Sequence, residues 1–353
     1  MPENTAKSGI MKQNHKKRIL VINVNWLGDV IFSTPALRAL RQDSPDAYIA
    51  CLVVAHCEDV LKNNPRINDI IVYDEYGKHR SLWAKVKFIR YLRKKRFDEV
   101  YVLHPSLRRA MIGFLAGIPR RIGYSTKNRE CLLTEVIPAP DVPMHKIDYF
   151  LNIITACGIK DQGRECEFFV DGADEKKAVD LMREAGIGEK KSFVLLNPGG
   201  NWDMKRWPAA NFSRLADMIQ EQTAAKVVIG GAKKDIHLAE EIAAGMKTSS
   251  VLLTGKTTLQ QLAAVMKRAG CVVSADSGPM HISAAVGANT IALFGPTAPE
   301  YSGPVGKGKV VILRKDVGCA VPCYVEECKD RRCMNAVTPE AVFDNVLKFV
   351  KKI

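Results

Sequence analysis

The sequence predicts an α/β protein built as two parallel-sheet domains in series. Three observations carry this. At 353 residues the chain is longer than one ordinary core accommodates. Short apolar runs alternate with helical stretches along most of it, the pattern of βαβ units. The loops leaving several runs combine glycine with charged residues, and open parallel sheets bind ligands outside the carboxyl ends of their strands. Two Rossmann-like domains facing one another would set such loops across a cleft.

Taken in order, residues 1–17 read as a disordered polar tail. The apolar run 18–24 suits a strand buried on both faces. Residues 25–29 turn, and 30–40 read as a helix that Pro35 kinks. Strands follow at 48–54, 69–73 and 98–103, with helices between. Residues 117–124 form a turn-rich basic passage, 144–157 a helix and 165–170 a strand. Asp171-Gly-Ala-Asp174 is the expected domain boundary, giving an N-terminal domain over 18–171 and a C-terminal one over 172–353. The second half places strands at 192–196, 226–230, 251–254, 271–274, 290–294 and 309–313, and a last helix over 339–352.

Hydrophobic content is 47% and charged content 25%, which marks a soluble globular chain. No apolar run reaches the roughly 18 residues of a membrane span. The first residues lack the apolar centre of a signal peptide, so the expected location is the cytoplasm. Ten cysteines are then expected as thiols or metal ligands, not as a disulfide framework. The net charge of +14 draws polyanions. With no aromatic platform and no nucleic-acid module, a specific nucleic-acid partner is not expected. Residues 76–97 hold nine Lys and Arg and no acid. There Leu82, Val86, Ile89 and Leu92 recur at helical spacing, beside Trp83, Phe88 and Tyr91. Such a basic amphipathic helix suits an anionic surface.

The chemistry concentrates in three loops. In Ser274-Ala-Asp-Ser-Gly-Pro-Met-His281 a strand turns into a helix. Gly278 permits close backbone approach, and Pro279 suits the first helical turn. The N–H groups opening that helix favour an anion, and Asp276 and His281 frame the spot with one acceptor and one switchable donor. In Asn197-Pro-Gly-Gly-Asn-Trp-Asp-Met-Lys-Arg-Trp-Pro208, Gly199 and Gly200 free the backbone while Lys205 and Arg206 bring cations, a diphosphate-binding combination. Neither a Walker loop nor G-x-G-x-x-G after the first strand is present, which disfavours a plain ATPase or dinucleotide oxidoreductase. In Asn25-Trp-Leu-Gly-Asp29, Asp29 is an N-cap or a carboxylate facing the cleft as general base. Asp235, in Gly230-Gly-Ala-Lys-Lys-Asp235, is placed to reach a ribose.

Together these stretches resemble the ADP-heptose:lipopolysaccharide heptosyltransferases, glycosyltransferase family 9, and within it the heptosyltransferase II group. The resemblance rests on Gly28-Asp29 with Ser33-Thr-Pro-Ala-Leu37, Ala116-Gly-Ile-Pro-Arg-Arg-Ile-Gly-Tyr124, Asn197-Pro-Gly199 with Lys205-Arg-Trp-Pro208, Asp276-Ser-Gly278 with His281, and Phe294-Gly-Pro-Thr297, in the family's order. It implies a GT-B fold, with the acceptor on the N-terminal domain and ADP-heptose on the C-terminal one. It also implies inverting transfer without a metal or other cofactor. By the same resemblance Asp29 matches the general base, Lys205 the lysine on the donor diphosphate, and Asp276 a donor-sugar contact. Gly278 and His281 match diphosphate contacts. Ser277 and Gly295 join Gly199, Gly200, Arg206 and Asp235 as expected donor-side residues.

Where the heptosyltransferase II group often reads Pro-Asn-Ser, this chain has His104-Pro-Ser106. Ser106, Arg109, Arg121 and Arg129 are the expected acceptor-side residues, the arginines meeting phosphate or carboxylate groups. The implied acceptor is a lipid A–Kdo/heptose core at the inner face of the cytoplasmic membrane, where the basic helix would help hold the enzyme. Cys319, Cys323, Cys328 and Cys333 lack the usual C-x2-C zinc pairing and are expected as reduced, partly buried thiols, with a four-thiol zinc site as the alternative. Two alternatives keep the fold: a transferase with another nucleotide sugar or acceptor, and a non-catalytic sugar-nucleotide-binding protein.

Overall fold

The structure, a computed structural model, describes residues 16–188 and 192–352. Its first half runs β1 (Arg18–Ile22), α1 (Leu27–Phe32), α2 (Thr34–Asp43), β2 (Tyr48–Val53), α3 (Glu58–Leu61), β3 (Asp69–Val72), α4 (Leu82–Lys94), β4 (Glu99–Val102), α5 (Leu107–Leu115), β5 (Arg120–Tyr124), β6 (Glu135–Ile137) and α6 (Lys146–Thr155). The second runs α7 (Gly172–Glu184), β7 (Phe193–Asn197), α8 (Ala209–Gln222), β8 (Lys226–Ile229), α9 (Ile236–Ala244), β9 (Val251–Leu252), α10 (Leu259–Arg268), β10 (Cys271–Ala275), α11 (Gly278–Ala285), β11 (Thr290–Leu293), α12 (Pro299–Ser302), β12 (Val310–Leu313), α13 (Arg332–Asn335) and α14 (Pro339–Val346).

Each half forms one six-stranded sheet, ordered β3-β2-β1-β4-β5-β6 and β9-β8-β7-β10-β11-β12. Every neighbouring pair is parallel. Both sheets therefore share the doubly wound order in which strand direction of travel reverses between the first and fourth strands. The central strands are apolar because helices cover both faces: Leu20, Val21 and Ile22 of β1 and Val194, Leu195 and Leu196 of β7 are fully buried. The switch points fall between β1 and β4 and between β7 and β10. Loops leaving these strands are the ones the sequence marks chemically.

Three expectations are corrected and a fourth falls mostly outside the described residues. Residues 30–40 are not one kinked helix: α1 ends at Phe32, and Pro35 sits in the first turn of a new helix, α2, where its missing N–H costs nothing. The basic passage 117–124 contains β5, and β6 follows. Their charges are matched, since Arg120 pairs with Glu99 at 2.8 Å and with Glu135 at 2.5 Å across the ladder. Residues 165–170 form no strand. Side chains hold that extended connection instead. Arg38 donates to the carbonyls of Gly163 and Glu165, both at 2.7 Å, and the Glu167 N–H donates to Thr34 Oγ1 at 2.9 Å. The tail expected over 1–17 lies outside the described residues except for its last two, and Lys17 pairs with Glu99 at 3.0 Å.

The halves share a continuous buried cluster that includes Ile31 and Phe32 from α1 and Ile282 and Ala285 from α11. Polar ties join them too. The Gln260 amide donates to the Asp59 carbonyl at 2.8 Å. His145 Nδ1 accepts from the Ile147 N–H, which leaves Nε2 as the donor to the Gly303 carbonyl at 3.0 Å. No helix among the described residues is long and apolar enough to cross a membrane.

Candidate active site

The loop after β1 is held from below by Asn23. This buried amide donates to Ser33 Oγ at 2.8 Å, and its carbonyl oxygen accepts from the Val24 N–H. Trp26 then caps α1 without a side-chain hydrogen bond, which leaves Asp29 in the first helical turn, facing the opposite sheet. In the second half, Asn197 ends β7 and donates to Ser274 Oγ at 2.9 Å and Ser277 Oγ at 3.2 Å. One buried amide thus locks the carboxyl ends of β7 and β10 together. Ser277 precedes Gly278, and α11 begins there with Pro279 in its first turn.

Two glycines set how closely these helix starts approach. A Cβ on Gly28 would stand 2.8 Å from the His281 ring, and a Cβ on Gly278 would stand 2.6 Å from Leu27 Cδ2. The amino ends of α1 and α11, one from each sheet, therefore meet head to head. Between them and the loop after β7 opens a cavity of about 580 Å³. Asp29, Gly199, Gly200, Lys205, Asp235, Asp276, Ser277, Gly278 and His281 all line it. Nine expected site residues from four separate loops thus converge.

Lys205 Nζ stands 2.8 Å from Asp276 Oδ2, and Thr297 Oγ1 donates to the same oxygen at 2.6 Å. Burial raises the Asp29 carboxyl above the usual carboxylate range, while Lys146 and Lys205 pull it back down. A carboxylate made more basic by burial and flanked by cations matches the demands on a general base. His281 is buried edge-on against Phe32, with 4.5 Å between ring centres. Burial pushes it down to about 4, with Asp276 opposing the shift and Lys205 and His145 adding to it. It is a neutral imidazole at pH 7, not the switchable donor expected from the sequence, and its buried Nδ1 has no protein partner. Asp235 Oδ2 accepts from the Ala232 N–H at 3.0 Å, while its buried Oδ1 lacks a donor.

Two expected donor-side residues lie outside the cavity. Arg206 braces the loop, donating to the Gly200 carbonyl and pairing with Asp203, both at 2.8 Å. Gly295 packs on Met334 and Cys333, where an added Cβ would be 2.3 Å from the Met334 sulfur. On the acceptor side, Arg109 is buried over the Tyr73 ring, donates to Asn25 Oδ1 at 3.2 Å, and keeps a buried NH1 without an acceptor. It therefore borders the Asp29 loop. Arg129, fully buried, donates to the carbonyls of Tyr124 and His104, tying the ends of β4 and β5. Ser106 caps α5 by accepting from the Arg109 N–H. Arg121 sits at the opposite end of its strand, committed to the carbonyls of Leu132, Ile118 and Pro119.

Sequence reasoning missed Lys146, Trp26, Trp202 and Lys234. Lys146 opens α6 and reaches Asp29 only through the fold. The other three line the cavity, and each stood in or beside a loop already marked. Cys319, Cys323, Cys328 and Cys333 line a different cavity, of about 340 Å³. All ten cysteines are free thiols, and among the described residues no three His, Cys, Asp or Glu side chains stand close enough to hold a metal ion.

Two doubly wound domains thus face their switch points across a cleft, the GT-B arrangement, with Asp29 on one side and Lys205 with a helix amino end on the other. The sequence pattern of glycosyltransferase family 9 (heptosyltransferase) matches residues 85–333, and the chain belongs to that family. It is 28% identical over 314 residues to lipopolysaccharide heptosyltransferase 2 of Escherichia coli K12, covering 84% of this chain and 88% of that protein. It is 30% identical over 342 residues to lipooligosaccharide heptosyltransferase 2 of Campylobacter jejuni, covering 95% and 98%. The crystal structure of a family 9 glycosyl transferase from Veillonella parvula superposes with a TM-score of 0.84 at 26% identity, over 94% of this chain and 97% of that one.

Proposed function

We propose that this heptosyltransferase moves L-glycero-D-manno-heptose from ADP-heptose to a hydroxyl of a lipopolysaccharide inner core, with inversion and without a metal. The observation that carries the reading is that Asp29 and the Lys205–Asp276 pair line one cavity from opposite sheets. Asp29 takes the proton of the acceptor hydroxyl as its oxygen attacks the anomeric carbon. The bond to the diphosphate oxygen breaks on the far face, so configuration inverts, and ADP departs with the electron pair. Lys205 and the first N–H groups of α11 meet the charge that grows on the leaving group. The unpaired Oδ1 of Asp235 suits a ribose hydroxyl. Arg109, with its free buried NH1, suits an anionic group on the acceptor. A lipid-linked acceptor would be met at the inner face of the cytoplasmic membrane.

The test is ADP release from ADP-heptose in EDTA, with and without a Kdo- or heptose-bearing core acceptor. Acceptor-dependent release that survives EDTA supports the reading. ADP binding without release would favour another sugar, another acceptor or a binding-only role.

A further inference from the structure

Helix α4 turns apolar side chains toward solvent. It buries only Phe88 and Leu92. Leu82 and Val86, which share their helical spacing with the buried Leu92, are 79% and 42% exposed, and Trp83 is 81% exposed. At 100° per residue, positions 82, 83, 86, 90, 93 and 94 fall on one side, opposite 88 and 92. The outer face thus carries a leucine, a tryptophan and a valine in its first turns and Arg90, Arg93 and Lys94 beyond them. Tyr76, just upstream, is 88% exposed.

The patch continues onto α5. Arg93 donates to the Leu115 carbonyl at 2.8 Å, and Phe88, Leu92, Ala110 and Ile112 share one core cluster, so both helices cover the same sheet face. Helix α5 exposes Met111, Phe114 and Leu115. Large apolar side chains with Lys and Arg among them, on a segment without acids, match an anionic lipid interface in both chemistry and charge. Both helices begin at the carboxyl ends of the strands, the side on which the Asp29 cavity opens.

We propose that the α4–α5 face is a membrane-docking surface that seats the N-terminal domain on an anionic phospholipid bilayer. The inference deepens the proposed transfer, since a lipid-anchored acceptor would then approach Asp29 from the bilayer side. Vesicle binding is read without any transfer, so the docking surface and the transferase reading fail separately.

The experiment is co-sedimentation of the full chain with vesicles of phosphatidylcholine alone and of phosphatidylcholine with one quarter phosphatidylglycerol. The full chain is expected to sediment with the mixed vesicles, and less so as salt rises. Leu82→Ser/Trp83→Ser should weaken that binding about tenfold with an unchanged thermal midpoint, because both side chains are exposed. Arg90→Glu/Lys94→Glu should remove the preference for phosphatidylglycerol. Either double variant sedimenting like the parent overturns the proposal. So does a parent that ignores the mixed vesicles, which would leave the face to a protein partner.

Discussion

The ammonium of Lys205 lies 2.8 Å from the carboxylate of Asp276, an ion pair that borders the candidate active site. Each neutralises the other. A diphosphate entering the cavity would share the lysine, leaving Asp276 with the Thr297 hydroxyl that already donates to it at 2.6 Å. Lys205→Ala therefore removes the leaving-group cation and strands a buried carboxylate. The turnover of ADP-heptose should fall about 10²- to 10³-fold, with a weaker ADP Kd by calorimetry. Unchanged ADP affinity would place the diphosphate elsewhere.

Asp29 couples function to stability with opposite signs. Burial raises its carboxyl, with Lys146 and Lys205 as the opposing causes. A folded-state value above the unfolded one favours the protonated form, so its contribution to stability is present at low pH and lost as pH rises through the folded value. At neutral pH the buried charge costs stability, and Asp29→Asn should raise the thermal midpoint. In the same variant transfer should fall about 10²- to 10⁴-fold. The acid limb of the parent's kcat/KM profile should lie above the ordinary aspartate range. A lower midpoint for Asp29→Asn would mean that the carboxylate is a structural cap.

His281 sets an acid limit on the fold. Its value drops from the usual 6.5 to about 4, chiefly through burial. The unfolded chain therefore binds a proton that the folded chain refuses. Stability falls with pH between those two values, by roughly 3 kcal/mol across the window. Urea midpoints at pH 7 and pH 5 should differ more for the parent than for His281→Gln. Equal differences would place the acid sensitivity elsewhere.

Gly28 permits the contact between domains. The His281 ring it faces is walled in by Phe32, so an added methyl at 2.8 Å has to push α1 and α11 apart. Gly28→Ala should lower kcat/KM roughly 10- to 100-fold through misplacement of Asp29, and the radius of gyration should rise. Gly278→Ala would place its methyl 2.6 Å from Leu27 Cδ2 and 3.4 Å from Leu27 Cβ, at the start of α11 where the diphosphate is proposed to sit, and should also weaken ADP binding.

Two of the four positions assigned to the acceptor, Arg109 and Arg121, separate by experiment. Arg109 borders the Asp29 loop with NH1 free, so Arg109→Lys should raise the acceptor KM about tenfold, the size of one charged hydrogen bond, and leave the donor KM alone. Arg121 holds three backbone carbonyls far from the cleft, so Arg121→Lys should lower the thermal midpoint and leave both KM values unchanged. The reverse pattern would exchange their roles.

The central strands and the marked loops were legible because each obeys a local rule. Buried parallel strands are apolar throughout, and a glycine before a charged helix start signals close approach. What was missed depended on pairing across the chain. Strand β5 opens with two arginines and reads as a loop until Glu99 and Glu135 are seen beside Arg120. The run 165–170 alternates like a strand yet lies against α2, where Arg38 and Thr34 take its polar groups and no strand pairs with it. Arg206 and Gly295 sit within genuine site motifs, but one braces the loop and the other packs on Met334. Lys146 carried no local signal, since only the meeting of α6 with α1 brings it to Asp29.

The most direct test of the central claim is a parallel assay of the parent and Asp29→Asn for acceptor-dependent ADP release in EDTA, with the ADP Kd of each protein measured alongside. The account predicts rapid release by the parent, at least a hundredfold loss in the variant (about the lower bound for a general base), and matching ADP affinities. Equal release rates, or no release by the parent despite tight ADP binding, would contradict it.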